Sequence, residues 1–291
     1  MKRILIGGLT SVYALYVPTA GRDRSAFLRP LFWALLAACW LGMNYLPSTY
    51  MDGFPMDSNL PYGRRDAKVE PFDPFVAQRF RSSRDLYEYV AGQSKTHDKR
   101  EMLNVAAKLL RFRFIHAYGV YTLQENWIAV LMGHYIWRDL SAKVIADDIM
   151  SGDAAACSQV SLVFMDFCSK LHVSTRKVAL KGHYTMEALV EGKWYFFDLD
   201  MKPDFAAIGG RKSLRDVLSR NEQYRLYANT IADSADIRRI FSSVQYGAIN
   251  ETPAPRAAIF HQITKHLSHW GWILPLLIAL AGIYRIVRYL F

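Results

Sequence analysis

Cys157, His183 and two aspartates, Asp198 and Asp200, follow one another in the middle of the chain and carry the groups that thiol catalysis needs. A thiol with a pKa near ~8.5 is a weak nucleophile at neutral pH until a helix N-terminus and an imidazolium lower it. A histidine supplies that charge and can then protonate a leaving group. A carboxylate fixes the tautomer and orientation of the imidazole. Taken singly, each residue has a plainer explanation. A cysteine in an apolar run is ordinarily a small buried hydrophobe, and a lone histidine or aspartate is ordinarily structural. The question is whether the elements around them bring the three together.

Cys157 stands in SGDAAACSQVSLVFMDFC (Ser151–Cys168), where small residues precede an apolar periodic stretch. That pattern predicts a helix starting beside the cysteine, with Ser151 or Asp153 as N-cap. Residues 173–181 then alternate like a strand, and 183–190 and 193–200 flank Glu191-Gly192, a two-residue hairpin signal. Such a turn pairs Val190 with Lys193. The register then sets Thr185 opposite Asp198 and His183 opposite Asp200, with His183, Asp198 and Asp200 on one face. Either aspartate can therefore reach the histidine, and a slip of one residue would separate them. Upstream, residues 83–92, 97–116, 123–140 and 141–150 have helical apolar spacing. Helices first and an antiparallel sheet after them make an α+β fold.

These residues resemble the transglutaminase-like superfamily, thiol enzymes with a papain-like core. The resemblance covers roughly residues 82–204. It rests on the small-residue lead-in AAACSQVS, on Leu171, Val173 and Arg176 after the helix, and on His183 with Glu187 four residues on. Gly192 and Trp194 form the turn, and Asp198 lies four residues beyond the tryptophan. It implies Cys157 as nucleophile, His183 as base and acid, and Asp198 rather than Asp200 as the orienting carboxylate. Ala155, His172 and Thr185 depart from the usual glycine, glycine and tryptophan. The resemblance implies acyl transfer on an amide or ester, with hydrolysis of a peptide or protein amide as the default. An oxyanion hole needs a donor besides the Cys157 amide, and Tyr121, Gln124, Asn126 and Trp127 are the candidates. The departures also suit an alternative, a non-catalytic binding or assembly module in an envelope or exopolysaccharide complex.

The chain is 52% hydrophobic, which excludes a disordered protein, and its net charge of +10 raises the question of nucleic acid. The charge is unevenly placed. Residues 1–29 carry Lys2, Arg3, Arg22, Arg24 and Arg29 against Asp23, and the far end adds Arg285 and Arg288. These flank two uncharged or weakly charged apolar stretches, Pro30–Met51 and Trp270–Phe291. Two membrane spans explain that pattern better than nucleic-acid binding, and the basic flanks place both termini in the cytoplasm. The expected organisation is a cytoplasmic segment 1–26 with a short interfacial helix at Ile4–Pro18, a span at 27–48, and a Pro-rich extended tether at 49–81. A catalytic domain at 82–250, a juxtamembrane segment at 251–269 and a second span at 270–290 follow. In a bacterium this is a two-pass inner-membrane protein with a periplasmic domain. Its partners are the lipid bilayer, a peptide or protein substrate of the cell envelope and, in the alternative reading, an envelope complex.

The other cysteines fit neither catalysis nor a disulfide. Cys168 lies three helical turns beyond Cys157, about 16 Å away, and reads as core. Cys39 falls in the first span. His261, His266 and His269 read as interfacial residues. No phosphate loop, dinucleotide fingerprint or zinc spacing occurs, and the expected chemistry requires neither metal nor organic cofactor.

Overall fold

The structure, a computed structural model, describes residues 24–46, 72–93, 98–201, 203–230, 234–251 and 253–290. The helix expected at Ile4–Pro18 and most of the tether lie outside these residues. The fold is α+β, with a four-stranded antiparallel sheet in the order β3-β2-β1-β4. Helices α1 (Arg24–Met43), α2 (Pro74–Arg79), α3 (Ser83–Gln93), α4 (Lys99–Arg113), α5 (Leu123–Tyr135), α6 (Ala146–Ser151) and α7 (Cys157–Lys170) precede it.

The strands are β1 (Ser174–Leu180), β2 (His183–Val190), β3 (Lys193–Phe197) and β4 (Val244–Tyr246). Glu191 and Gly192, at φ 51° and 75°, make the two-residue turn, and the register runs from Val190↔Lys193 to Met186↔Phe197. This is the expected register, but pairing stops at Phe197. Asp198 and Asp200 therefore leave the ladder, and Asp198 reaches the histidine from a turn.

Each face of the sheet has its own core. On one side Met186, Ala188 and Phe197 pack against α3, α4 and α7 through Leu86, Leu103, Leu110, Val163, Phe164 and Phe167. On the other, Val178, Leu180 and Phe196 meet α8 (Leu214–Ser219), α9 (Gln223–Leu226) and α10 (Ser234–Ile240). Adjacent Phe196 and Phe197 thus serve opposite cores, as the two-residue strand period requires. Cys168 is fully buried in the first core, and burial pushes its thiol up.

Three expectations are corrected. The tether expected to run to residue 81 stops earlier. Asp73 caps α2 by accepting from the Phe75 and Val76 amides, and Phe80 is buried. The helical stretch expected at 141–150 is helical only from Ala146. The first span is short as well. Its apolar helical part is Phe27–Met43, about 26 Å at 1.5 Å per residue, against a hydrocarbon layer of about 30 Å. The helix ends at Met43, with Asn44 in the turn that follows, and Pro30 sits inside it. Among the described residues one helical stretch, Pro255–Tyr289, is long and apolar enough by length and composition to cross a membrane. It comprises α11 (Pro255–Trp270) and α12 (Ile273–Leu290), with a turn at Gly271–Trp272.

Helix α1 lies antiparallel along this stretch. Trp40 Nε1 donates to Leu267 O at 2.9 Å, and a Cβ on Gly282 would stand 2.8 Å from Pro30 Cγ, so only glycine permits the approach. Leu31, Phe32 and Leu35 of α1 and Leu274, Leu277 and Leu280 of α12 are exposed. A polar seam ties α11 to α5: Asn126 Nδ2 donates to Thr264 Oγ1 at 2.9 Å, and Ser268 Oγ to Asn126 Oδ1 at 3.1 Å. His261, read as interfacial, is fully buried there and contacts Leu140 O at 2.9 Å.

Candidate active site

Cys157 is the first residue of α7, and the N-cap is Ala156, not Ser151 or Asp153. An alanine cannot cap, so the work passes to Gln159. Its Oε1 accepts from the Ala156 amide at 3.0 Å and from the Gly119 amide at 2.8 Å. Its Nε2 donates to Gly119 O at 2.7 Å and Lys143 O at 2.8 Å. One buried amide thus clamps the loop after α4 onto the first turn of α7. The Ile115 amide donates to Asp153 O at 2.9 Å and the Ala155 amide to Ile115 O at 3.1 Å, which completes the staple. The small lead-in is needed here: Ala155 and Ala156 are buried, and a Cβ on Gly119 would lie 2.6 Å from Ala154 O.

The first strand residue of β2, His183, is 4% exposed. Its Nε2 meets Asp198 Oδ2 at 2.8 Å. Asp198 is well supplied with donors. The Asp200 and Met201 amides reach its Oδ1 at 3.1 and 3.0 Å, and the Tyr227 hydroxyl reaches Oδ2 at 2.7 Å. Burial pushes the Asp198 carboxyl up, but the His183 charge and hydrogen bond outweigh it, with help from Met201 and Tyr227, and hold it below its ordinary value. Burial likewise opposes protonation of His183. The Asp198 charge and hydrogen bond, joined by the Cys157 thiol, outweigh it and hold the imidazole well above the ordinary histidine value.

These contacts give the imidazole a direction. With Nε2 held by Asp198, Nδ1 is the nitrogen left for proton exchange with Cys157, whose thiol interacts with the imidazole from the start of α7. Cys157 is half-buried rather than sealed in the core. Its own N–H belongs to the first helical turn, whose amides lack intrahelical acceptors, and can receive a developing oxyanion. The helix end adds a partial positive charge at the same point.

Cys157, His183 and Asp198 thus come together, and Asp200 turns elsewhere. Asp200 Oδ1 pairs with His116 Nδ1, and its Oδ2 stays 3.9 Å from His183 Nδ1. Three of the four oxyanion candidates are engaged away from the site. Tyr121 donates to Asp148 at 2.6 Å, Trp127 to Ser268 O at 3.3 Å, and Asn126 lies in the α5–α11 seam. Gln124 is exposed on α5. Tyr118 and Tyr184 are the aromatic residues whose phenols feel the thiol. Burial, then the Cys157 charge, raise the Tyr118 phenol. His116, Tyr118 and Tyr227 were not singled out in the sequence, which offers only generic aromatic and histidine types at those places.

The remaining residues of the resemblance are structural. Glu187 is fully buried, pairs with Arg176 at 2.6 Å and accepts the Leu214 amide at 2.7 Å. The Arg176 guanidinium lies 4.1 Å from the centre of the Trp194 ring. Among the described residues no group of three or more His, Cys, Asp or Glu is arranged to hold a metal ion. Comparison with known protein families, with curated proteins and with solved structures finds no match to this chain.

Proposed function

We propose that this chain is a membrane-anchored thiol enzyme with a transglutaminase-like, papain-like core. It transfers the acyl group of an amide or ester, most simply hydrolysing a peptide or protein amide in the bacterial cell envelope. The observation that carries this reading is the placement of His183, with Nε2 on an ionised, buried Asp198 and its ring against a cysteine at a helix N-terminus. A structural histidine has no need of that combination.

In this reading the Cys157 thiolate attacks the carbonyl carbon, and the oxyanion is met by the Cys157 amide. His183 Nδ1–H gives its proton to the leaving amine or alcohol, and an acyl-thioester remains. Water then attacks, Nδ1 takes its proton, and the thiolate leaves as the acid is released. Asp198 stays ionised throughout and holds the ring. The two-pass topology belongs to the same proposal. It is supported by the antiparallel approach of α1 to α12, by their exposed apolar faces, and by basic residues on the side that becomes cytoplasmic.

The test is iodoacetamide labelling of the detergent-solubilised full chain at pH 6, with sites mapped by mass spectrometry. A thiolate–imidazolium pair labels at Cys157 much faster than at Cys168 or Cys39, and His183→Ala removes the advantage. If Cys157 labels no faster than Cys168, the enzyme reading is wrong and the binding-module reading replaces it.

A further inference from the structure

Asp200 stands beside Nδ1 of the His183 imidazole without bonding to it. Its side chain is 8% exposed. Its Oδ1 is paired with His116 Nδ1. Its Oδ2 has no hydrogen-bond partner among the described residues and stops 3.9 Å from His183 Nδ1, beyond hydrogen-bond reach. That nitrogen is the one Asp198 leaves for Cys157. In the thiol-enzyme reading one ring N–H therefore has two competing anionic acceptors, a thiolate and a carboxylate, and the carboxylate forms the stronger hydrogen bond. A movement of about 1 Å would bring Oδ2 to Nδ1. The Asp200 backbone cannot supply that movement easily, because its amide is tied to Asp198 Oδ1. Side-chain rotation can, and what opposes it is the pairing with His116. His116 is itself fixed, since the preceding residue, Ile115, is stapled to the lead-in of Cys157 at Asp153 and Ala155.

Resting on the thiol-enzyme reading, we infer that His116 is a positioning residue that holds Asp200 off His183 Nδ1, so that this N–H serves Cys157. The cysteine lead-in and the restraint on the competing carboxylate are then one unit, because both depend on the 115–116 segment. The groups facing His183 are Asp198 and Asp200 from the end of β3 and Cys157 from α7, with Tyr227 acting through Asp198.

The experiment is the rate of iodoacetamide labelling of Cys157 at pH 6 in the full chain in detergent, with melting temperature measured on the same samples. His116→Ala and His116→Phe, the second keeping the ring volume, should each label about tenfold more slowly than wild type. His116→Asn, whose amide nitrogen replaces Nδ1, should stay within about threefold. Asp200→Asn in the His116→Ala background should restore the rate to within about threefold of wild type without restoring the melting temperature, because a neutral amide competes weakly for the N–H. The inference is overturned if both His116→Ala and His116→Phe label at the wild-type rate, or if the double variant stays as slow as His116→Ala. Failure of the underlying reading gives a different result, a wild-type Cys157 that labels no faster than Cys168.

Discussion

The Tyr227 hydroxyl donates to Asp198 Oδ2 at 2.7 Å, the same oxygen that His183 Nε2 meets at 2.8 Å. Tyr227 is 1% exposed, in the core on the far side of the sheet, and burial with the Asp198 charge keeps its phenol protonated. The carboxylate is thereby fixed from behind while the imidazole holds it in front. Tyr227→Phe keeps the ring and removes the donor. It should lower kcat about threefold to tenfold and stability by about 1–2 kcal/mol, measured by turnover of an ester substrate and by urea unfolding.

Asp198 and Asp200 should separate cleanly on substitution. Asp198→Asn permits the wrong imidazole tautomer and should cost at least about a hundredfold in kcat. Asp200→Asn, with His116 in place, should keep turnover within about threefold of wild type. Steady-state kinetics of the two variants decide the assignment. A dead Asp200→Asn beside an active Asp198→Asn would reverse it.

The His183–Asp198 pair should show in the pH dependence of stability. Asp198 is held low in the folded state, so its contribution is present above the unfolded value near ~3.9 and is lost as pH falls through the folded value. His183 is held high, so its contribution is complete below the unfolded value near ~6.5 and is lost as pH rises through the folded value. Wild type should therefore exceed His183→Phe in stability most between about pH 4 and 6.5. Melting curves of the two proteins from pH 3 to 9 give the difference. A margin that grows steadily above pH 7 would contradict the ion pair.

Gln159→Leu keeps volume and removes four hydrogen bonds at the start of α7. Buried groups on Gly119, Lys143 and Ala156 lose a partner each, so stability should fall by about 3 kcal/mol or more. Labelling of Cys157 at pH 6 should slow in parallel, because the loop carrying His116 and Tyr118 loses its clamp. Unchanged unfolding would mean that the loop is held by other contacts.

Topology is open to a direct measurement. A reporter that is active only in the periplasm, fused after residue 150, should be active, while fusions at either terminus should behave as cytoplasmic. A cytoplasmic signal at 150 would overturn the membrane arrangement.

The sequence by itself determined the local elements and their order. Alternation with a Glu191-Gly192 turn specified the β2–β3 hairpin and its register, because a two-residue turn leaves one way to pair the flanking residues. Apolar periodicity specified α3, α4, α5 and α7. Helices followed by an antiparallel sheet specified the α+β class, and residue types together with the transglutaminase-like resemblance directed attention to Cys157 and His183. Tertiary structure decided what local pattern does not encode. The ladder ends at Phe197, so Asp198 reaches His183 from a turn rather than as a cross-strand neighbour. Asp200 is claimed by His116, and Tyr227 arrives from the opposite core, each across a long stretch of chain. The start of α7 moved to Cys157 because Gln159 and the Gly119 loop replace a side-chain cap. β4 is three residues long with a mixed surface and becomes a strand because β1 offers it an edge, which no periodicity within those residues could announce.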